Sequence, residues 1–457
     1  MKFNHLLSGI ILVASANSFG QALFTCGDNA WGQQGLGNTS FSPGPNRPLA
    51  SIAFVKITSG GNGSQFAVDG SGNLWAWGEN GYATLGIGNY LNQTFPTQVS
   101  GVSNVIDVSD SLQTVAILQN GTAMGWGANG ANELGIVGSG SYATPQPIPG
   151  VTMARKVACG GGHTLILNSK GRVFASGANQ YGQLGVGDFA DRSSFTQVPY
   201  LTGVTAISAS TGASMALKSD GTVWCWGSGK NGTNGTGNYP NRKKPTQVPG
   251  LTGVVAIASG IARSVALKSD GTIWTWGYSY LGDGSMAAYR PSPVQVTGIS
   301  TAVGISAGAY NTMATLANGT VMGWGHNLNA QLGFASGEWV VSPTANGMTG
   351  AIGSTLAVET SIVMQVAPIQ MRLPSMTGGS DQTINIDLNG PSAGSQTLHM
   401  TSSDPSIVTV PGNTIVVPGT TQVHVTISSS IAFKKKTVLL TASMNGVSFS
   451  RYITVNP

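Results

Sequence analysis

The segment Asp220–Gly227, DGTVWCWG, decides the fold because near copies of it return along the chain at an almost constant interval. A turn leads into a short strand that carries two tryptophans and ends at a glycine. Residues 270–277 repeat the pattern as DGTIWTWG. The intervals between these glycines are 51, 49, 50, 50, 50 and 48 residues, and the glycines are Gly27, Gly78, Gly127, Gly177, Gly227, Gly277 and Gly325. A fixed period of this length predicts a repeat architecture.

The positions around each glycine predict what one repeat looks like. Large apolar residues stand three positions before it and mostly tryptophan one position before, so both lie on one face of a strand and form core. An earlier strand, represented by Met215-Ala216, is apolar on both faces. Between the two strands, Asn-Gly or Asp-Gly pairs predict type I′ hairpins. Each repeat is then a small antiparallel sheet that needs neighbours on both faces, as in a propeller blade.

The two ends of the repeat region predict how the ring closes. Only one strand, Ala22–Cys26, precedes the first glycine. Near the other end, Ser361–Met364 matches Ser264–Leu267 in register, but no Trp-Gly pair follows it. The N-terminal strand is therefore expected to complete the blade that residues 350–366 begin, which removes free sheet edges. We predict an all-β chain with a seven-bladed β-propeller over residues 21–366.

The remaining segments have other patterns. Residues 1–20 resemble a signal peptide, with Lys2, an apolar stretch from Leu6 to Ala16 and a cleavage site at 18–20, so we expect a secreted or cell-surface protein. Residues 367–373 are predicted to be a linker. Residues 374–457 are expected to form a small Ig-like β-sandwich of seven short strands at 383–388, 396–400, 407–410, 414–417, 422–427, 437–443 and 448–455.

Composition excludes several function classes. The net charge of +5 comes from 21 basic and 16 acidic residues without a dense basic stripe, so no nucleic-acid partner is expected. No segment after the leader is apolar enough to span a membrane. The three cysteines lie in apolar strand patterns of different repeats, so neither a disulfide nor a metal site is predicted. His163 and Ser214 are repeat positions, which favours structural hydrogen bonds. We predict a monomer with no catalytic, cofactor or metal site.

A loop after each glycine carries a second motif. It is most complete at residues 177–188, GANQYGQLGVGD, and this G-x-N-x-x-G-Q-L-G-x-G pattern resembles the repeat of the regulator of chromosome condensation (RCC1-like) family over about residues 22–366. The resemblance implies a propeller. The family founder is a nuclear exchange factor for a small GTPase, whereas secreted bacterial members include a β-lactamase inhibitor that holds its protein partner with one face. The run at 402–411 resembles bacterial Ig-like modules.

Aromatic residues recur in these loops and are the candidate binding residues. They stand four or twelve positions after the glycine, at Trp31, Tyr82, Tyr90, Tyr181, Phe189, Tyr239 and Tyr289. Aromatic side chains on rigid loops often anchor protein or sugar partners; the alternative is that they pack loop against loop. We therefore predict an exported, non-catalytic scaffold that binds an unknown protein or glycan. The alternatives are an enzyme with acids from distant blades at the channel mouth, and a guanine-nucleotide exchange factor.

Overall fold

The computed structural model describes residues 22–46, 52, 54–59, 62–138, 140–334, 337–347, 351–356, 360–365, 368–372, 376–377, 381–388, 396–416, 422–429, 436–444 and 447–456. These residues are almost entirely strands and turns, with one short 3-10 helix at Lys230–Gly232. Among the described residues, no helix is long and apolar enough to cross a membrane. The predicted signal peptide lies outside the described residues.

Residues 22–365 contain seven four-stranded antiparallel sheets among the parts described. Sheet 1 combines strands from both ends of this region, β1 (Ala22–Gly27), β2 (Ser42–Asn46), β27 (Ala351–Leu356) and β28 (Thr360–Gln365). Sheet 2 has β3 (Phe54–Ser59), β4 (Ser64–Asp69), β5 (Leu74–Gly78) and β6 (Gln93–Gln98). Sheet 3 has β7 (Val105–Asp110), β8 (Gln113–Leu118), β9 (Ala123–Ala128) and β10 (Ser141–Pro147).

The next four sheets follow the same order along the chain. Sheet 4 has β11 (Ala154–Cys159), β12 (His163–Asn168), β13 (Val173–Gly177) and β14 (Arg192–Gln197). Sheet 5 has β15 (Val204–Ala209), β16 (Ala213–Lys218), β17 (Val223–Gly227) and β18 (Arg242–Gln247). Sheet 6 has β19 (Val254–Ser259), β20 (Arg263–Lys268), β21 (Ile273–Tyr278) and β22 (Tyr289–Gln295), and sheet 7 has β23 (Ala302–Ala307), β24 (Asn311–Leu316), β25 (Val321–Asn327) and β26 (Gly337–Ala345).

One edge strand of each sheet contacts an edge strand of the next sheet, and these contacts form a ring. Strand β3 contacts β7, and the contacts continue through β11, β15, β19 and β23 to β27, which contacts β3 again. The expected pairing of the two ends is confirmed: β1 pairs antiparallel with β28, from Ala22 opposite Gln365 to Cys26 opposite Ser361. No covalent link is needed for this closure, because a backbone ladder joins the ends.

The apolar core lies between adjacent sheets. One cluster joins Leu184 and Val198 of sheet 4 to Ile207 and Trp226 of sheet 5. The residue before the repeat glycine is tryptophan in sheets 2, 3, 5, 6 and 7, and this tryptophan is fully buried in all five. The residue three positions before it, such as Trp224, is only half-buried, so the two tryptophan positions do not contribute equally to the core. The cysteines Cys26, Cys159 and Cys225 are buried, and they lie in strands of three different sheets.

The predicted type I′ hairpins are wrong. In the turn of sheet 5, Gly221 has a φ of 76° but Asp220 is not in the left-handed region. Gly221 N donates to Lys218 O and Lys218 N donates to Thr222 O, which describes a type I turn followed by a bulged glycine. Asp220 favours this turn because its Oδ1 accepts hydrogen bonds from Thr222 N (3.0 Å) and Thr222 Oγ1 (2.6 Å).

Tyr200 occupies a strained turn position on the connection from sheet 4 to sheet 5. Its φ is 63° and its side chain is 94% exposed, whereas the corresponding positions elsewhere are the glycines Gly101, Gly150, Gly250, Gly298 and Gly347. Replacing Tyr200 with glycine should raise the free energy of unfolding by about 0.5–1 kcal/mol, because relief of left-handed strain exceeds the extra backbone entropy of glycine. Urea titration measures this, with Tyr200→Ala as the control that keeps the strain. A glycine variant less stable than the alanine variant would contradict the argument.

Residues 368–456 form two further sheets. Sheet 8 has β29 (Pro368–Arg372), β31 (Asp381–Leu388), β35 (Gln422–Ser429) and β33 (Val408–Thr409); sheet 9 has β30 (Met376–Thr377), β37 (Val447–Asn456), β36 (Lys436–Met444), β32 (Gln396–Ser402) and β34 (Asn413–Val416). Both contribute to one apolar cluster, for example through Ile384 and Leu440. The predicted linker at 367–373 is therefore corrected: Pro368–Arg372 is a strand that pairs with β31. The alternation of Ile369 and Met371 with polar residues is a strand pattern that the flanking prolines obscured.

Candidate functional site

A buried asparagine organises the loop that joins the third and fourth strands in five of the seven sheets. In sheet 4, Asn179 Oδ1 accepts from Leu184 N (2.9 Å), and Asn179 Nδ2 donates to Asp188 O and Ala190 O (both 3.0 Å). The equivalents Asn29, Asn80, Asn129 and Asn327 are also fully buried. One asparagine side chain thus bonds the backbone at both ends of a loop that has no strand-to-strand hydrogen bonds of its own. The loop is therefore a rigid support for exposed residues.

The predicted aromatic residues lie between the third and fourth strands of their sheets, at one end of the ring. Tyr239 and Tyr289 belong to sheets 5 and 6, whose loops lack the buried asparagine. Six of the predicted residues are between 41% and 52% exposed, namely Trp31, Tyr90, Tyr181, Phe189, Tyr239 and Tyr289, and Tyr82 is half-buried. We call these seven residues the aromatic face. Exposed aromatic rings on ordered backbone lose little entropy when they are covered by a partner, which is the property expected of a binding surface.

Several rings of the aromatic face also contact the next sheet. Tyr90 Oη is 3.1 Å from Ser141 Oγ, and Lys243 Nζ lies 5.7 Å from the centroid of Phe189. A methyl group added to Gly63 would come within 2.9 Å of the Trp31 ring, so the ring lies directly on that glycine. These three rings are thus held by the next sheet while they remain between 41% and 51% exposed. Loop packing and exposure therefore coexist in the same residues.

A cleft of about 780 Å³ opens in this end of the ring, over sheets 4 to 7. Its aromatic lining is Tyr181, Tyr278, Tyr289 and Tyr310, and its polar lining includes Lys230, Asn231 and Asn241. Of the predicted residues, only Tyr181 and Tyr289 line it. Sequence reasoning missed Tyr278 and Tyr310 because neither stands at the recurring aromatic positions of the loop.

The cleft lies where the loop motif fails. The buried asparagine is replaced by Gly229 in sheet 5 and by Ser279 in sheet 6. One glycine of the loop packs against the buried tryptophan ring of the next sheet. In sheets 4 and 5 this glycine is Gly185 or Gly235, eight residues after the repeat glycine. In sheet 6 that glycine, Gly282, comes five residues after Gly277. This three-residue shortening was the sequence signal that could have located the cleft.

Two further observations mark sheet 6 as irregular. Ser279 and Tyr280 both adopt positive φ, 39° and 52°, a conformation that costs non-glycine residues about 1–2 kcal/mol each. Trp324 Nε1, in sheet 7, is buried without a hydrogen-bond partner among the described residues. By contrast, Trp276 Nε1 donates to Thr233 O of the preceding loop at 2.9 Å. The shortened loop does not supply that carbonyl oxygen.

The charge near the cleft is positive. Lys230 is the charged residue among those that line it, and it belongs to no ion pair of the described residues. Arg263, 1% exposed, follows the lining residue Ala262 and donates to Ser279 O (3.0 Å) and Thr312 Oγ1 (3.3 Å). Burial lowers the pKa of Arg263 to about 9, so it is still a cation at neutral pH. No described carboxylate pairs with it.

A serine and a histidine also meet, but inside the protein. His163 Nε2 is 2.9 Å from Ser214 Oγ, which itself donates to Gln183 O at 2.7 Å. Both side chains are buried, and burial lowers the pKa of His163 to about 3. A neutral imidazole without access to solvent cannot serve a substrate. The structural role expected of both residues is confirmed by these contacts.

Acidic residues near the ring axis are buried as well. Asp107 pairs with Lys56, and Asp110 Oδ2 accepts from Ser64 Oγ at 2.5 Å. Burial raises the pKa of Asp110 to about 8. The described residues contain no group of three metal-binding side chains, and the residues lining the cleft include no Asp or Glu. A pair of carboxylates facing a substrate is thus not formed at the cleft.

Comparison with known proteins gives the family. The model of the RCC1-like domain matches residues 22–367. The X-linked retinitis pigmentosa GTPase regulator of Canis lupus familiaris is 33% identical over 162 residues, 33% of this chain and 16% of that protein. The ultraviolet-B receptor UVR8 of Arabidopsis thaliana is 36% identical over 83 residues, 18% of this chain and 19% of the receptor. The chain therefore spans less than a fifth of the length of these curated relatives.

Solved structures agree on the fold. Human WBSCR16 superposes with a TM-score of 0.67 at 20% identity, over 76% of this chain and 99% of that structure. Prp20p of Saccharomyces cerevisiae gives a TM-score of 0.67 at 21% identity, over 76% of this chain and 92% of that structure. At such identity the likeness concerns the fold alone. From the repeat, the sheets and the family match together, the chain belongs to the RCC1-like domain family and carries that family's β-propeller.

Proposed function

We propose that this protein is an exported scaffold whose seven-bladed propeller binds a protein partner through the aromatic face, without catalysing a reaction. The observation that carries the proposal is a set of six half-exposed aromatic rings at one end of the propeller, four of them on loops fixed by buried asparagines, beside a cleft at the same end. Large rings held on rigid backbone are the residues that most often dominate protein interfaces.

Separate observations support the other parts of the proposal. Seven sheets and the cyclic contacts between one edge strand of each sheet support seven blades. The leader-like residues 1–20 support export. Two sheets around one apolar cluster support an Ig-like sandwich that serves as spacer or anchor. The related GTPase regulator and photoreceptor support a propeller used for binding. The enzyme alternative needs paired acids in a cleft, and no residue that lines this cleft is acidic.

Replacing four residues of the aromatic face together, Tyr90, Phe189, Tyr239 and Tyr289, by alanine should weaken partner capture by at least about 100-fold. The four side chains are half-exposed, so their loss should leave the fold intact. The measurement is affinity capture from culture medium and cell-envelope extracts of the source organism, followed by binding of the captured partner to purified variants, with circular dichroism as the check on folding.

The matched control is Tyr200→Ala, which removes an exposed tyrosine from a sheet-to-sheet connection at the opposite end of the ring. Capture should be unchanged in this control. If Tyr200→Ala abolished capture while the fourfold variant retained it, the binding face would be at the other end. Recovery of the intact, uncleaved chain from the cytoplasm would contradict export and reopen the exchange-factor alternative.

A further inference from the structure

The cleft has the composition of a surface that recognises protein. Four tyrosines line it, together with serines, asparagines and Gly212. Tyrosine supplies contact area at a low entropic cost, and serine, asparagine and glycine supply adaptable hydrogen bonds and close approach. A peptide residue occupies roughly 130 Å³ when packed at protein density. A cleft of about 780 Å³ therefore suits a short protruding loop.

The tyrosine rings are ordered by their own contacts. The Tyr278 ring is 5.4 Å from that of Tyr289 and 6.1 Å, edge to face, from that of Tyr310. Tyr181 lies on Gly212, where an added methyl group would come within 3.0 Å of the ring. Because these rings are already held by neighbours, a bound loop would not have to immobilise them, which lowers the entropic cost of association.

The charges around the cleft favour a negatively charged ligand. Lys230 is at the rim, and beyond the lining residue Asn241 the chain continues with Arg242, Lys243 and Lys244. Among the described residues, none of these four cations has a carboxylate within ion-pair distance. Arg263 lies behind the lining as a buried cation, and its Nε has no hydrogen-bond partner among the described residues. A buried charge without a counter-charge is costly, so an incoming anion would be favoured.

We propose that the cleft is a subsite for a protruding loop of the protein partner that carries an Asp or Glu side chain, with Lys230 as the residue that pairs with its carboxylate and the tyrosines as the walls of the site. The proposal rests on the proposed function, since it names the part of the partner that the propeller recognises. An acidic sugar is the competing ligand. The aromatic face extends well beyond the cleft, which favours a protein-sized partner over a short glycan.

The test uses the full chain, immobilised, and a phage library of disulfide-closed loops with seven randomised residues. Selected loops should be enriched in Asp or Glu next to apolar or aromatic residues. Lys230→Glu should weaken their binding at least about tenfold, measured by fluorescence anisotropy with synthetic loops. A fresh selection on Lys230→Glu should enrich Lys or Arg instead. Because Lys230 is exposed, the variant should keep the thermal midpoint of the wild-type chain.

The matched control is Lys170→Glu, which reverses an exposed charge in the turn between β12 and β13, at the opposite end of the ring. This control should bind the loops with unchanged affinity. Loops without acidic residues, or equal binding by Lys230→Glu, would overturn the proposal. The proposal would also be overturned if no loop were selected while the protein bound polygalacturonic acid in affinity electrophoresis.

Failure of this inference can be told apart from failure of the proposed function. If the captured partner is lost in the fourfold aromatic variant but binds Lys230→Glu normally, the aromatic face binds the partner and the cleft inference is wrong. If acidic loops bind the cleft but the fourfold variant still captures the partner normally, the proposed use of the aromatic face is wrong.

Discussion

Trp226→Ala should lower the free energy of unfolding by about 3–5 kcal/mol, the range measured when large aromatic side chains are removed from protein cores. Trp226 is fully buried and packs against Leu184 and Val198 of the neighbouring sheet. Its Nε1 donates to Gln183 O at 2.9 Å. The substitution therefore leaves a cavity between two sheets and removes a bond that connects them. Urea titration followed by near-ultraviolet circular dichroism measures the loss.

The matched control is Trp224→Ala, two residues away on the same strand. Trp224 is half-buried, its Nε1 donates to Thr222 Oγ1 at 3.1 Å, and Lys218 Nζ lies 5.5 Å from its ring centroid. Its removal exposes the site to water instead of leaving an enclosed cavity, so the loss should be at most about half as large. Equal losses in the two variants would show that the core does not lie between the sheets.

Asp107→Ala should cost about 3–5 kcal/mol of unfolding free energy, because it leaves a buried lysine without its counter-charge. Asp107 pairs with Lys56 of sheet 2, and its Oδ2 accepts from Val157 N of sheet 4 at 2.8 Å. One carboxylate on sheet 3 thus joins three consecutive sheets at the inner edge of the ring. Urea titration at pH 7 measures the effect. The double variant Lys56→Met with Asp107→Leu should be more stable than Asp107→Ala alone, since it buries no unpaired charge.

The same substitution should change the dependence of stability on pH. Burial lowers the pKa of Lys56, and Asp107 opposes that effect. Without Asp107, the folded-state pKa falls further below the unfolded value. The folded state then binds the Lys56 proton less tightly than the unfolded state does, so the stability of Asp107→Ala should rise with pH, more steeply than that of wild type, as the pH approaches the ordinary lysine pKa of 10.5. A flat or falling profile for the variant relative to wild type would contradict this assignment.

The fold was predictable because each repeat obeys the same packing rule. Trp226 and its equivalents mark the core, and the register of Ser361–Met364 was enough to predict that Ala22–Cys26 would pair with it. The turn type was not predictable from Asp220-Gly221 alone, because the dipeptide suits both turns and the side-chain bond to Thr222 decides between them. The linker predicted at 367–373 was wrong because the prolines at 368 and 374 obscure the alternation of apolar and polar residues between them.

The candidate site was only half predictable. Tyr181 and Tyr289 were found because they recur in the repeat, but a recurring position describes the shared scaffold and not what is special in one copy. Tyr278, Tyr310 and Arg263 stand where sheets 6 and 7 differ from the rest, and Gly277 to Gly282 is the shortened spacing that creates the cleft. In a repeat protein the deviations from the period carry more information about binding than the period itself.

The pairing of β1 with β28 also sets the order of events during synthesis. The strand at Ala22–Gly27 leaves the ribosome before any other part of the ring, and its partner at Thr360–Gln365 leaves it nearly last. Local hairpins can form while the chain grows, but the final ladder joins residues at the greatest sequence separation in the ring and is slow to form. In a nascent chain this edge of β1 therefore lacks its partner until Thr360–Gln365 has been synthesised, and a chaperone that binds extended segments would bind it during that time.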